Sequence, residues 1–78
     1  MAITFKTLRL RAGLTCSEVA AMIGVKEGTL RKYECSSRVP NLSNTYKLEK
    51  ALKCNNNEFM EAYSYHRQQN LIKNKYLE

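Results

Sequence analysis

The sequence predicts an all-α fold of five short helices. Helix-starting and helix-ending residues recur in every segment up to about residue 65, and no alternating apolar and polar run of useful strand length interrupts them. A chain of 78 residues forms one small domain that buries only about 60 to 65% of its unfolded surface. Its stability must therefore come from one compact core or from a partner subunit, and a large active-site cleft is not expected.

Two short amphipathic helices joined by a tight turn are predicted within residues 14–38. Thr15 stands three residues before Glu18, so hydroxyl and carboxylate can each cap the other's backbone N–H at the start of the first helix. Gly24 can adopt the positive φ that ends this helix. Because so short a turn fixes the crossing angle, the segment has the geometry of a helix-turn-helix, in which one helix braces and the next reads DNA.

The same signals place the other helices and the core. The predicted helices cover residues 3 or 4 to 12, 16–23, 26–35, 42–53 and from 58 onward, with Asn41 and Asn57 as N-caps of the last two. The side chains expected to face inward are Phe5, Leu8, Ala12, Val25, Leu30, Tyr33, Leu42, Leu48, Ala51, Leu52, Phe59, Met60 and Tyr63. Residues 1–62 are predicted to form the helix-turn-helix domain, and residues 63–78 a C-terminal extension.

Motif residues recur in register from about residue 3 to residue 60. They are Phe5-Lys6-Thr7-Leu8-Arg9, Gly13-Leu14-Thr15, Glu18-Val19-Ala20, Ile23-Gly24-Val25, Thr29-Leu30-Arg31-Lys32-Tyr33-Glu34, Arg38, Pro40, Leu48 and Ala51-Leu52. This pattern resembles the phage repressor and Cro family of helix-turn-helix (XRE-type) DNA-binding domains. The resemblance implies a lambda-repressor-like fold of five helices and a partly buried ion pair between Arg9 and Glu34, which is structural and makes no DNA contact.

Three positions depart from the family pattern. Cys16 stands where the family usually has a Gln that touches a phosphate, although a backbone N–H at a helix start can still meet one. Lys26 opens the reading helix where Ser or Thr is common, and it cannot cap but can reach a phosphate. Ser36 replaces the Gly that usually follows the reading helix, so it must adopt a left-handed conformation at some cost or end the helix differently.

The predicted reading helix divides the DNA-contacting residues into two sets. Base edges in the major groove are expected to meet the outward residues of its first turns, namely Glu27, Gly28, Thr29, Arg31 and Lys32. Phosphates are expected to meet Cys16, Lys26, Ser37, Arg38 and Asn41. Two alternatives stay open: Glu27 and Arg31 can form a surface ion pair instead, and Gly28 either permits close backbone approach or merely weakens the helix.

Charge and cysteine usage narrow the classes of function. The net charge is +6 with a pI near 9.4. Residues 1–40 hold 7 basic and 3 acidic groups, so four of the six net positive charges lie in the half of the chain that contains the motif. Three widely spaced cysteines and one histidine favour neither a disulfide framework nor a zinc site, and no metal or other cofactor is expected. No apolar run approaches the roughly 20 residues of a membrane span. We expect a cytoplasmic protein with free thiols.

These observations predict a sequence-specific transcriptional regulator of the repressor or Cro type. It is expected to bind a palindromic operator in double-stranded DNA as a homodimer, with the dimer contact formed by Tyr63, Leu71, Ile72 and Tyr76. The alternative for this extension is that it packs back on its own domain or frays. The alternative function is an antitoxin-like or other protein-interaction module that binds a partner protein through its C-terminal tail. One histidine, no Asp and no nucleophile beside a base argue against an enzyme.

Overall fold

The computed structural model describes the backbone of residues 3–77 and the side chains of residues 3–73. Within that range the chain forms five helices and no strand. They are α1 (Phe5–Arg11), α2 (Cys16–Ile23), α3 (Glu27–Glu34), α4 (Leu42–Leu52) and α5 (Asn56–Leu77). The prediction of an all-α, five-helix fold is confirmed, and α1 to α4 lie close to their predicted bounds.

Local side-chain caps stabilise the starts of α1, α2, α4 and α5. Thr15 Oγ1 accepts a hydrogen bond from the Glu18 N–H at 3.1 Å, and Glu18 Oε1 accepts from the Thr15 N–H at 3.0 Å, which is the predicted capping box. The predicted N-cap of α5, Asn57, is wrong. Asn55 Oδ1 accepts from the Glu58 N–H at 2.8 Å, and Glu58 Oε1 accepts from the Asn55 N–H at 3.4 Å. This reciprocal pair caps α5 one residue before it begins, at Asn56.

One hydrophobic core joins the five helices. Its buried members are Phe5, Leu8, Val19, Ala20, Ile23, Leu30, Tyr33, Leu48, Ala51, Leu52, Phe59 and Ala62. Three predicted core residues are corrected: Leu42 is 88% exposed, Met60 is 45% exposed, and Ala12 is a half-buried C-cap. Leu42 lies six residues before Leu48 and Met60 directly follows Phe59, so the helical repeat turns both away from the buried face.

The long α5 continues its buried face beyond Ala62 through a histidine. The ring of His66 is 2% exposed and stacks on Phe5 with 4.4 Å between ring centroids, while Phe5 in turn stacks on Phe59 at 5.6 Å. The chain therefore passes from residue 62 to residue 63 inside one helix. Residues 63–77 of the segment predicted as a C-terminal extension continue α5.

An ion pair ties α1 to the end of α3, as the resemblance implied. Arg9 Nε lies 2.7 Å from Glu34 Oε2, with both side chains 10% exposed, and a second nitrogen of Arg9 donates to Glu34 Oε1 at 3.3 Å. Arg9 also donates to the Leu14 carbonyl at 3.0 Å. The fork geometry of the guanidinium thus fixes the distance between α1, the start of α2 and α3.

Among the described residues, no helix combines the length and the apolar character that crossing a membrane requires.

Candidate nucleic-acid interface

The turn between α2 and α3 is closed by a glycine and by backbone hydrogen bonds. Gly24 adopts φ 75°, in the left-handed region, and the Val25 N–H donates to the Ala20 carbonyl at 2.9 Å. Val25 then packs against the core as a half-buried side chain. This arrangement follows the Schellman pattern of helix ends, so α3 leaves α2 after a turn of only three residues.

The two faces of α3 differ in exposure as the sequence predicts. Leu30 and Tyr33 are 1% and 3% exposed in the core. The outward residues Glu27, Gly28, Arg31 and Lys32 are all exposed, and Thr29 is half-buried at the edge of this face. The structure therefore brings the five predicted base-reading residues together on one two-turn helix, and four of them project into solvent.

Glu27 and Arg31 form an ion pair across one turn of α3. Arg31 Nη2 lies 3.4 Å from Glu27 Oε2, and the side chains are 68% and 45% exposed. An exposed pair at i, i+4 contributes only a few tenths of a kcal/mol. A guanine edge that offers two acceptors can therefore draw Arg31 away from Glu27 at little cost.

Gly28 lies in the middle of the outward face with open space around it. Apart from its two chain neighbours and the backbone of its own helix, a Cβ atom at this position would meet no atom within 4 Å. The free protein thus offers no packing reason for glycine at this position, although glycine weakens a helix by up to about 1 kcal/mol.

The predicted phosphate-contacting residues flank α3 at both ends. Lys26 is exposed at the N-cap, where its side chain makes no capping bond. Ser37, Arg38 and Asn41 are exposed beyond the C-terminal end, and Asn41 Oδ1 caps α4 by accepting from the Asn44 N–H at 2.8 Å. Along the chain, these four exposed residues directly precede α3 or lie between α3 and α4.

Cys16 differs from the other four because its side chain is directed inward. Cys16 Sγ lies 3.8 Å from Glu34 Oε1, and the residue packs against the core as a half-buried side chain. A contact from Cys16 to a phosphate would therefore come from its backbone N–H, one of the amides that a helix start leaves without an intrahelical acceptor.

Ser36, which follows α3 in place of glycine, adopts the left-handed conformation at φ 66°. Its side chain is buried, at 4% exposure, and its Oγ lies 2.7 Å from His66 Nδ1. A non-glycine residue in this region of φ and ψ is unfavourable and persists where surrounding contacts hold it. Two residues of α5 contact Ser36: His66 at its hydroxyl and Asn70 at its carbonyl.

His66 is a buried neighbour of the end of α3 that the sequence analysis did not identify. Its Nε2 lies 3.1 Å from the Phe5 backbone nitrogen, and because that N–H can only donate, Nε2 accepts and Nδ1 carries the proton that is donated to Ser36. Burial lowers the pKa of His66 to about 4. The available signal was its spacing of four and seven residues after Ala62 and Phe59, which continues the buried stripe of α5.

The residues predicted to form a dimer contact lie in different environments. Tyr63 is half-buried and packs against the core, whereas Leu71 and Ile72 are 61% and 42% exposed. The side chain of Tyr76 lies outside the described residues. One side of α5 therefore packs back on its own domain while two apolar residues on its surface remain in solvent.

Two further side chains of α5 reach the end of α3. Asn70 Nδ2 donates to the Ser36 carbonyl at 3.0 Å, and Lys73 Nζ donates to the Cys35 carbonyl. The Cys35 thiol is exposed and hydrogen-bonds Ser37 Oγ at 3.0 Å, and this bond lowers the pKa of Cys35.

A braced pair of helices joined by a three-residue turn, with a polar and basic outer face on the second, defines a helix-turn-helix domain. The helix-turn-helix family model matches residues 5–58, which is more than half of the chain. The protein therefore belongs to the XRE-type, Cro/C1-like helix-turn-helix family of DNA-binding transcriptional regulators. Searches of curated proteins and of solved structures found no match.

Proposed function

We propose that this protein is a repressor or Cro-type regulator that binds a palindromic operator in double-stranded DNA as a homodimer, through α3 in the major groove. The observation that carries the proposal is the outer face of α3, where acidic, basic and side-chain-free residues all lie exposed on a helix braced from behind by the core. The net charge of +6 supports a polyanionic partner. Such a regulator acts in the cytoplasm.

In this proposal Arg31 and Lys32 donate to guanine O6 and N7, and Glu27 accepts from cytosine N4. Thr29 contacts a thymine methyl or a phosphate at the edge of the helix. Gly28 lets the backbone approach the base edges, which is supported by the open space around it. Each good bidentate contact is worth about 1 to 3 kcal/mol of discrimination between base pairs.

The phosphate contacts position the helix and carry no sequence information. Lys26, Ser37, Arg38 and Asn41 are assigned to them because they are exposed and lie next to α3 along the chain, together with the backbone N–H of Cys16. Binding is then strongly salt-dependent, since each neutralised phosphate releases condensed counterions.

Dimerisation through α5 is supported by the exposure of Leu71 and Ile72. One domain presents one reading helix, whereas a two-fold pair of domains about 34 Å apart reads both halves of a palindrome and roughly doubles the contact energy. Tyr63 and Tyr76 are the further members assigned to this contact. Burial of the two apolar side chains in the dimer removes an exposed patch that a monomer would carry.

The operator is found by selecting bound duplexes from a random pool, and it is expected to be a palindrome. Binding of Arg31→Ala and Arg38→Ala to that operator and its single-base variants is then measured across a salt series. Arg31→Ala should lose preference at one position in each half-site, whereas Arg38→Ala should weaken all duplexes alike and reduce the salt slope by about 1. If Arg31, Lys32 and Glu27 variants all keep the wild-type preference, the assigned reading face is wrong.

The dimer is tested separately by sedimentation with and without the operator. The variant that carries Leu71→Ser and Ile72→Ser should sediment as a monomer, while the control Gln68→Ser, exposed on the same helix, should behave as the wild type. A wild-type chain that stays monomeric on the operator would refute the dimer, and a dimeric double variant would move the contact elsewhere.

A further inference from the structure

Three residues on one face of α5 meet the chain directly after α3. His66, Asn70 and Lys73 are spaced four and three residues apart, which places them in a row along the helix. Their partners are the Ser36 hydroxyl at 2.7 Å, the Ser36 carbonyl at 3.0 Å and the Cys35 carbonyl. The row, defined here as the α5 clasp, therefore converges on two consecutive residues.

Interactions within the reading helix, α3, give it little stability of its own. α3 has eight residues with no side-chain cap at its start, and it contains Gly28. Isolated helices shorter than about 12 to 15 residues are marginal even in favourable sequences. Tertiary contacts therefore decide where α3 ends and how its last turn is oriented.

The end of α3 depends on the left-handed conformation of Ser36. Beyond this residue the chain folds back, so that the Ser37 and Arg38 N–H groups donate to the Lys32 carbonyl at 2.9 and 3.3 Å. The same carbonyl belongs to an outward residue of the reading face. A change at Ser36 thus displaces Lys32, Ser37 and Arg38 together.

We infer that Asn70 and His66 are positioning residues for DNA reading, because they hold Ser36 in its left-handed conformation and thereby orient Lys32 and Arg38. The inference rests on the proposed function and deepens it. The second half of α5 acts on the reading helix of its own chain, so this effect on DNA binding is separate from any contact between two copies. Lys73 adds a bond at the rim of the same clasp.

The test compares Asn70→Ala with Gln68→Ala. Asn70 is half-buried, and its substitution removes the hydrogen bond to the Ser36 carbonyl, whereas Gln68 is exposed on the same helix and serves as the matched control. Amide hydrogen exchange in the free protein at pH 7 is the first readout. A lost hydrogen bond corresponds to a change of about fivefold, so Asn70→Ala should speed exchange at Ser37 and Arg38 about fivefold while α1, α2 and α4 keep their wild-type rates.

The second readout is the ratio of dissociation constants for single-base operator variants and the operator itself, with active protein counted by stoichiometric titration. Partial unfolding lowers the active fraction but leaves this ratio unchanged, whereas a misplaced reading helix reduces it. We expect this ratio to fall about fivefold in Asn70→Ala and to stay unchanged in Gln68→Ala. The same comparison is made between Ser36→Gly and the double variant Ser36→Gly with Asn70→Ala, both of which lack the serine hydroxyl. There the effect of Asn70→Ala on the ratio should be smaller, because glycine adopts φ 66° without support from neighbouring residues.

Each result has one meaning. Unchanged exchange at Ser37 and Arg38 in Asn70→Ala would refute the clasp. Faster exchange with an unchanged ratio would refute its positioning role. If the wild type itself shows no base preference, the proposed function fails and the DNA part of the inference fails with it, while the exchange rates still report whether the clasp holds Ser36.

Discussion

Acidification should destabilise this protein through a single buried side chain, His66. In the folded state Nε2 accepts the Phe5 N–H and Nδ1 donates to Ser36, so a second proton on the ring would remove one bond and put a charge among core side chains. Burial lowers the pKa of His66 from 6.5 to about 4. Above pH 6.5 the ring is neutral in both states, and the full stability is present.

The sign and the size follow from proton linkage. Between pH 6.5 and 4 the unfolded chain binds a proton on His66 that the folded chain does not, so stability falls as the pH is lowered through this window. The fall in the pKa of His66 from 6.5 to about 4 corresponds to a loss of about 3 kcal/mol in the free energy of unfolding in total, and of about 2 kcal/mol at pH 5. That is a large part of the stability expected of a small domain.

The assay is denaturant unfolding at half-unit steps from pH 7.5 to 4.5, with His66→Gln as the non-titrating control. His66 is the only histidine, so no other side chain of ordinary pKa titrates between pH 5.5 and 6.5. The wild type should lose about 1.2 kcal/mol between pH 6 and pH 5, and His66→Gln should lose much less. Equal slopes for the two proteins, or a histidine NMR titration near pH 6.5, would refute the reasoning.

Three further perturbations test other parts of the fold by thermal unfolding. Gly28→Ala should stabilise the protein by about 0.5 to 1 kcal/mol, because a Cβ meets open space there; a lower melting temperature would mean that α3 is strained at this residue. Arg9→Ala leaves the Glu34 carboxylate, 10% exposed, without its partner and should cost about 3 kcal/mol, whereas the exposed control Arg67→Ala should cost less than about 0.5 kcal/mol. Ending the chain after Ala62 removes the imidazole that bonds α1 to the end of α3. The truncated chain should therefore lose cooperative unfolding, and a truncation that unfolds like the full chain would show that the second half of α5 adds nothing.

The parts of the fold that could be predicted from the sequence are those that depend on local interactions. The capping box of Thr15 and Glu18, the left-handed Gly24 and the inward pair Leu30 and Tyr33 all depend on residues within four positions of one another. The outer face of α3 follows from the inner one by the helical repeat. For these reasons the predicted base-reading residues lie together on one exposed face, although their contacts with DNA remain proposals.

Predictions of core residues were wrong where they considered the type of a residue but not its angular position around the helix. Leu42 is an apolar residue at the start of α4, yet the buried face of that helix is set by Leu48 and Ala51, and Leu42 points into solvent. Met60 fails in the same way beside Phe59. Cys16 is a different case, because its thiol turns toward Glu34 and only its backbone N–H is left for the phosphate contact that remains a prediction.

The sequence by itself determined the five helices, the turn that joins α2 to α3 and the exposed face of the reading helix, because each depends on short-range caps and on the 3.6-residue repeat. Only the tertiary structure decided what holds the end of that helix. His66 bonds to residues 61 and 30 positions away along the chain, and Ser36 adopts a conformation that its own residue type disfavours. Such contacts form only when α5 packs against α1 and α3, since no periodicity within a single segment specifies a partner in another.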